Sequence, residues 1–157
     1  MTMLHLVATV ALINVALLLG ATWYEAVVMA PNYERDVPDS ITAARRFLAR
    51  TTPAHYFRIL APLGQLFALA ATVLGWGGPG RGGFVTALVT LVVADVITFT
   101  FHYPRLAVMF KTAEPVAPER LGRAAREWAM GNWVRGILLV VAQLALLHGL
   151  LVTGVAG

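Results

Sequence analysis

The apolar and polar residues of this chain do not alternate. They segregate into blocks. Four long apolar runs cover about 4–30, 54–76, 83–103 and 129–153. Each reaches the roughly 20 residues that cross about 30 Å of hydrocarbon at about 1.5 Å per residue. None keeps the polar outer face that a soluble helix of that length carries. Each run therefore predicts a membrane-spanning helix. Pro53 stands where the second begins, a position at which a missing N–H costs nothing. The first run has no Lys or Arg ahead of it and exceeds a signal-peptide core, so it reads as a span.

The connections differ. "GGPGRGG" between the second and third runs is a flexible, nearly uncharged turn. The other two links are long and charged. The first contains "DSITAARRFLAR", which reads as a short amphipathic helix capped by Asp39 or Ser40. Its Arg45, Arg46 and Arg50 lie near Phe47 and Leu48, as on a helix resting in the membrane interface. The second, "KTAEPVAPERLGRAAREW", holds another such piece starting at Pro118 and Glu119, running into the fourth span. The expected fold is all-α: an integral membrane up-down four-helix bundle, one domain over 1–157, with short interfacial helices in the two long links.

Composition agrees. The chain is 59% hydrophobic and 13% charged, with a mean hydropathy of +0.73; soluble domains carry about 25% charged residues. The absence of cysteine excludes disulfides, thiolate metal sites and cysteine nucleophiles. A net charge of +4 could suggest nucleic acid, but the distribution of charge gives another explanation. Of 12 Lys and Arg, all but Arg81 belong to the long-link side or its adjacent helix ends. The positive-inside rule then places both long links in the cytoplasm and both termini outside, in a bacterial inner membrane.

Several polar residues interrupt the runs, and all of them fall in the half nearer the long links. Glu25 lies on the first run. His55 and Arg58 share a face at the start of the second. Asp95 and His102 lie on the third, with Thr98 between them. Trp128, Asn132 and Arg135 open the fourth, where Glu127 precedes Trp128. A charge facing lipid at the membrane centre costs about 2.5–3.5 kcal/mol on insertion scales. It costs less to turn these side chains toward one another, which predicts a polar pocket opening to the cytoplasm. The bland alternative is structural: Arg58 and Arg135 reach to headgroups, and Glu25 pairs with one of them. Asp95 is too deep and too short to reach water. Asn14 and Gln143 are expected to bond between helices, and Trp23, Tyr24, Trp76, Trp128 and Trp133 to form an interfacial belt. His5 and His148 lie near the outer face, where a metal pair is conceivable.

These landmarks resemble a family of small four-helix membrane proteins that includes the anthrone oxygenases. The points of contact are "VVMAPNYE" at the end of the first run, "HYPRLAVMF" at the end of the third, and "REWAMGNWVRG" at the start of the fourth. Members often carry Asn-x-Pro-Leu-Asn at the third-helix end, where this chain has His102-Tyr103-Pro104-Arg105-Leu106. The resemblance implies an oxygenase that turns an activated phenolic methylene into a carbonyl with O₂, without flavin or haem. It transfers onto Trp128, Asn132 and Arg135. His102 enters from its own chemistry as the expected base, its reference pKa lying near neutrality. Asp95 would orient it or act as the base itself. In a regular helix their seven-residue separation spans about 10 Å, too far for contact. Arg58, Arg135 and Asn132 would stabilise an oxyanion, with His55, Trp128 and Glu25 completing the site. The expected partners are the bilayer and a small apolar aromatic molecule.

Other readings stay open. His55 and His102 could ligate haem or a metal. The chain could be an accessory subunit of a larger membrane complex, a homo-oligomer, or a small carrier in which Asp95 titrates. Protease signatures are absent: there is no Gly-x-Ser-x-Gly and no His-Glu-x-x-His.

Overall fold

A computed structural model describes residues 2–112 and 115–155. Its elements are α1 (Met3–Tyr24), a π-helical turn (Glu25–Met29), α2 (Ala30–Glu34), α3 (Asp39–Phe47), α4 (Pro53–Leu74), α5 (Arg81–Ile97), a second π turn (Thr98–His102), α6 (Tyr103–Phe110) and α7 (Pro118–Val155). Four continuous rods are long and apolar enough to cross a membrane: Met3–Glu34, Pro53–Leu74, Arg81–Phe110 and the rod that begins at Pro118. They pack in cyclic order, α1 on α4, α4 on α5, α5 on α7 and α7 on α1. The chain is a multi-pass helical bundle. Its outer surface is studded with exposed Ile, Leu, Val and Phe, as lipid contact requires.

The first and third rods run past the ends expected at Pro31 and Pro104. Proline lacks an N–H, and its ring crowds the carbonyl four residues back, so it normally ends a helix. Here each proline stands two residues beyond the end of a π turn. The Ala30 N–H bonds to the Glu25 carbonyl, and the Tyr103 N–H to that of Thr98. The wider turn absorbs the extra residue, and the helix continues.

Two apolar clusters hold the bundle. The membrane cluster is rich in small residues, including Ala8, Ala11, Ala68, Ala71, Ala87 and Ala142, interleaved with Val15, Leu18, Leu139 and Leu146. Small side chains let helices approach closely where no hydrophobic force separates lipid from protein. At the end of the bundle near the α4–α5 turn, Phe84 is wedged among glycines: a Cβ on Gly75 or Gly149 would meet its ring at 2.8 or 2.9 Å. A Cβ on Gly83 would stand 2.5 Å from the Ala145 carbonyl and 2.7 Å from the Gly149 nitrogen, both backbone atoms of α7. Gly83→Val is therefore expected to destabilise the bundle by about 1–3 kcal/mol through overpacking. Thermal unfolding in detergent would show this as a lowered midpoint. An unchanged midpoint would mean that the α5–α7 crossing is not as tight as described.

The second cluster lies on the long-link side. Ala30, Tyr33, Ile41, Met109, Leu121 and Trp128 pack there, with α3 against α2 and α6. Neither Asp39 nor Ser40 caps α3, contrary to expectation. Asp39 is its first residue, and Ser40 Oγ donates to the Tyr33 carbonyl at 2.8 Å, which ties the link back to α2. Arg45 turns inward instead of to headgroups. Its Nε donates to the Met109 carbonyl at 2.6 Å, satisfying the end of α6. The expected second link helix is the start of α7. At 38 residues, α7 is about 57 Å long, well beyond the membrane's hydrocarbon. The amide oxygens of Asn14 and Gln143 make no hydrogen bond between helices. Asn14 Oδ1 lies against Gly64, where a Cβ would stand 2.7 Å away. Trp128 is buried, so it does not belong to an interfacial belt; Trp23 and Trp133 pair edge-to-face at 4.8 Å.

α4, at 22 residues, is shorter than the other three rods and packs mainly on α1 and α5. Its first turn, Pro53 to His55, lines a cavity together with residues of those three rods. The gap beside its first turn becomes the site.

Candidate functional site

The centre of the site is a buried ion pair. Arg135 Nη2 donates to Glu25 Oε2 at 2.9 Å and to Asn132 Oδ1 at 3.0 Å. Its guanidinium lies 4.4 Å from the centre of the Phe57 ring. Three of the four rods thus meet at one cation. Of the two arginines open to Glu25, the structure selects Arg135. Arg58 is exposed on α4. The Arg135–Asn132 contact follows from i, i+3 spacing on α7. Glu25 opens the first π turn, which sets its side chain toward α7.

Around this pair lie polar atoms without side-chain partners: Thr22 Oγ1, Asn132 Nδ2, Arg135 Nε and both ring nitrogens of His102. Buried polar atoms are nearly always hydrogen-bonded, so such a concentration in one place marks where further polar groups belong. His102 is 1% exposed. Its ring presses on α7 at Gly131, where a Cβ would meet its Cε1 and Nε2 at 2.9 Å.

Two cavities adjoin at this centre. The inner one, about 320 Å³, has an aromatic wall of Tyr33, Phe57, Tyr103, Phe110 and Trp128. Glu25, Arg135, His102, Arg58 and His55 supply polar atoms, together with Thr52, Thr98 and Lys111. Tyr33 packs on Trp128 and Phe110 at ring separations of 5.5 and 5.6 Å. The outer cavity, about 310 Å³, is walled mainly by α4 and α5, with Leu18 and Thr22 of α1 and Arg135 and Leu139 of α7 completing it, and is lined by Asp95 and Gln65. Phe57, Arg58, Thr98, Tyr103 and Arg135 line both.

Asp95 and His102 therefore do not share one cavity, as their spacing suggested. In an uninterrupted α-helix, residues seven apart share a face. The π turn between them adds a residue. Asp95 faces α4, where its Oδ2 accepts from Gln65 Nε2 at 2.5 Å, and His102 faces α7. Thr98, where the turn begins, touches both spaces. Glu127 lies apart from the centre: it pairs with Arg105 at 2.9 Å and so clamps α6 to α7.

His55 stands at the opening of the inner cavity. Its Nδ1 accepts from the Thr52 N–H at 3.2 Å and completes a capping box at the start of α4. It lines the same cavity as His102. Among the described residues, no group of three His, Cys, Asp or Glu side chains is arranged to hold a metal. His5 bonds to Thr2 and lies beside Gly154, whereas His148 lines a shallow groove with Pro79 and Thr86.

Sequence reasoning missed Gln65 and, Trp128 apart, the aromatic wall. Gln65 had a signal: with Arg58, Ala61 and Pro62 it forms an i, i+3, i+4, i+7 stripe on α4. Tyr33 and Phe110 had none, because they lie beyond the prolines that were expected to end their helices.

No family model, curated protein or solved structure matches the chain.

Proposed function

We propose that this chain is a bacterial inner-membrane protein that binds a planar phenolic molecule in the inner cavity and oxidises its activated methylene with O₂. The long links would lie in the cytoplasm and both termini outside, on the distribution of Lys and Arg. One observation carries the chemical reading: a buried imidazole with neither nitrogen bonded to another side chain, on the wall of an aromatic cavity that also holds Arg135. The resemblance to the anthrone-oxygenase family supplies the reaction class.

The residues suit the steps. Tyr33, Trp128 and Phe110 give a flat apolar ligand matching surfaces. His102 takes a proton from the methylene. The resulting charge spreads onto the ligand's oxygen, which Arg135 Nε and Asn132 Nδ2, both free of other partners, can receive. The carbanion passes electrons to O₂, and a carbon–oxygen bond forms as a hydroperoxide. Loss of water, which takes the remaining methylene hydrogen, leaves the carbonyl. The balance is R₂CH₂ + O₂ → R₂C=O + H₂O, and no external reductant is needed.

The test is O₂ uptake by the purified protein in lipid nanodiscs supplied with anthrone. His102→Ala is expected to lower turnover by about 10²–10⁴-fold, the usual contribution of a positioned base. Full turnover in this variant and in Asp95→Asn would remove both residues from the chemistry. An absorption spectrum with a Soret band would favour instead the haem reading through His55 and His102, which line the same cavity.

A further inference from the structure

The outer cavity poses a separate question. The facing stripes of α4 and α5, Arg58-Ala61-Pro62-Gln65 and Leu91-Ala94-Asp95-Thr98, line a space between the helices. Small residues, Ala61 and Ala94, occupy the positions at which two packed helices would interlock. Pro62 has no N–H for the Arg58 carbonyl, so that carbonyl lacks its helical donor beside the space.

The seam also faces lipid. Leu66, Val92, Val96 and Phe99 beside it are exposed apolar side chains. Among them the Gln65–Asp95 pair is only partly covered. A polar pair at membrane depth ordinarily turns to the bundle interior, because hydrocarbon offers it no partner. This one lies between the lipid and a cavity that shares five wall residues with the inner site. It uses one Gln N–H and one carboxyl oxygen, which leaves further donor and acceptor capacity for an arriving group.

We propose that the α4–α5 seam, and not the opening beside His55, is the entrance by which a lipid-dissolved aromatic molecule bearing a hydrogen-bonding oxygen reaches the inner cavity, with Gln65 and Asp95 as its first polar contacts. The inference rests on the ligand class proposed above. An apolar ligand concentrates in the bilayer, so a lateral route spares it a passage through water. Arg135, Thr98 and Tyr103 then form the shared wall at which it passes from one space to the other.

An entrance has a kinetic signature that a binding contact lacks. Obstructing it slows arrival and departure equally and leaves affinity unchanged. The natural absence of cysteine makes the obstruction reversible. Ala61→Cys, at a partly exposed position on the same wall, is modified in nanodiscs with benzyl methanethiosulfonate and later released with a reductant. The probe is 1-hydroxypyrene, its binding followed by energy transfer from the native tryptophans. The modified protein is expected to bind and release the probe at least tenfold more slowly, with its dissociation constant within twofold of the parent's. Reduction should restore both rates. Ala61→Leu, which needs no modification, should slow both rates in the same direction. Unchanged rates in both proteins would overturn the entrance while leaving the inner site intact. A changed affinity at unchanged arrival rate would make the seam a binding contact and also overturn it. A parent that binds neither this probe nor anthrone would overturn the ligand reading itself.

Discussion

Arg135→Leu is expected to be among the most damaging single substitutions in this chain. It leaves Glu25 buried without its cation and removes the donor to Asn132 Oδ1. Breaking a buried ion pair from one side costs about 3–5 kcal/mol, mostly through the stranded partner. Thermal or SDS-induced unfolding in micelles would show the loss. The pair is nevertheless a poor source of net stability, since desolvation offsets most of its attraction. Glu25→Leu combined with Arg135→Leu is therefore expected to regain much of what the single variant loses. A single variant that unfolds like the parent would show that the pair is not closed in the membrane. The stable double variant also separates folding from function. It keeps the bundle, but turnover on anthrone should fall by about 10²–10³-fold, as when one oxyanion donor is lost.

Gly131→Ala is expected to have a large effect for one methyl group. The added carbon would stand 2.9 Å from Cε1 and Nε2 of His102 and from Cε1 of Phe101. Neither ring is a flexible chain end, so one of them must move. Overpacking of this kind costs about 1–3 kcal/mol. Turnover should fall nearly as far as in His102→Ala, although the imidazole is still present. A double-mutant cycle gives the sharper measurement, because residues in contact are not additive. With the ring gone, the methyl has room, so Gly131→Ala should cost markedly less stability on the His102→Ala background. Additive costs would mean that the ring does not press on α7.

The four spans, the link helix and the long fourth rod were legible in the sequence because the bilayer imposes block hydropathy directly. Helix ends were not. Pro31 and Pro104 carry the usual sign of termination, and nothing local announces that a π turn will absorb them. That hid Tyr33 and Phe110, and with them the aromatic wall. The convergence of Glu25, Asn132 and Arg135 followed from the cost of burying charge, but the choice of Arg135 over Arg58 required the packing of three rods. Asp95 and His102 were found, yet assigned to one space, since counting residues assumes that every turn has the same number.

That uneven turn has a wider meaning. Inserting one residue rotates everything beyond it by about 100° relative to an unbroken α-helix. The first and third rods therefore behave as shafts with a phase coupling near the same level. Below the coupling, their apolar stripes are timed to lipid and to the alanine-rich core. Above it, they are timed to α3 and the Tyr33–Trp128 cluster. The membrane part and its cap thus answer to separate angular registers, and the two residues that mark the couplings, Glu25 and His102, line one cavity.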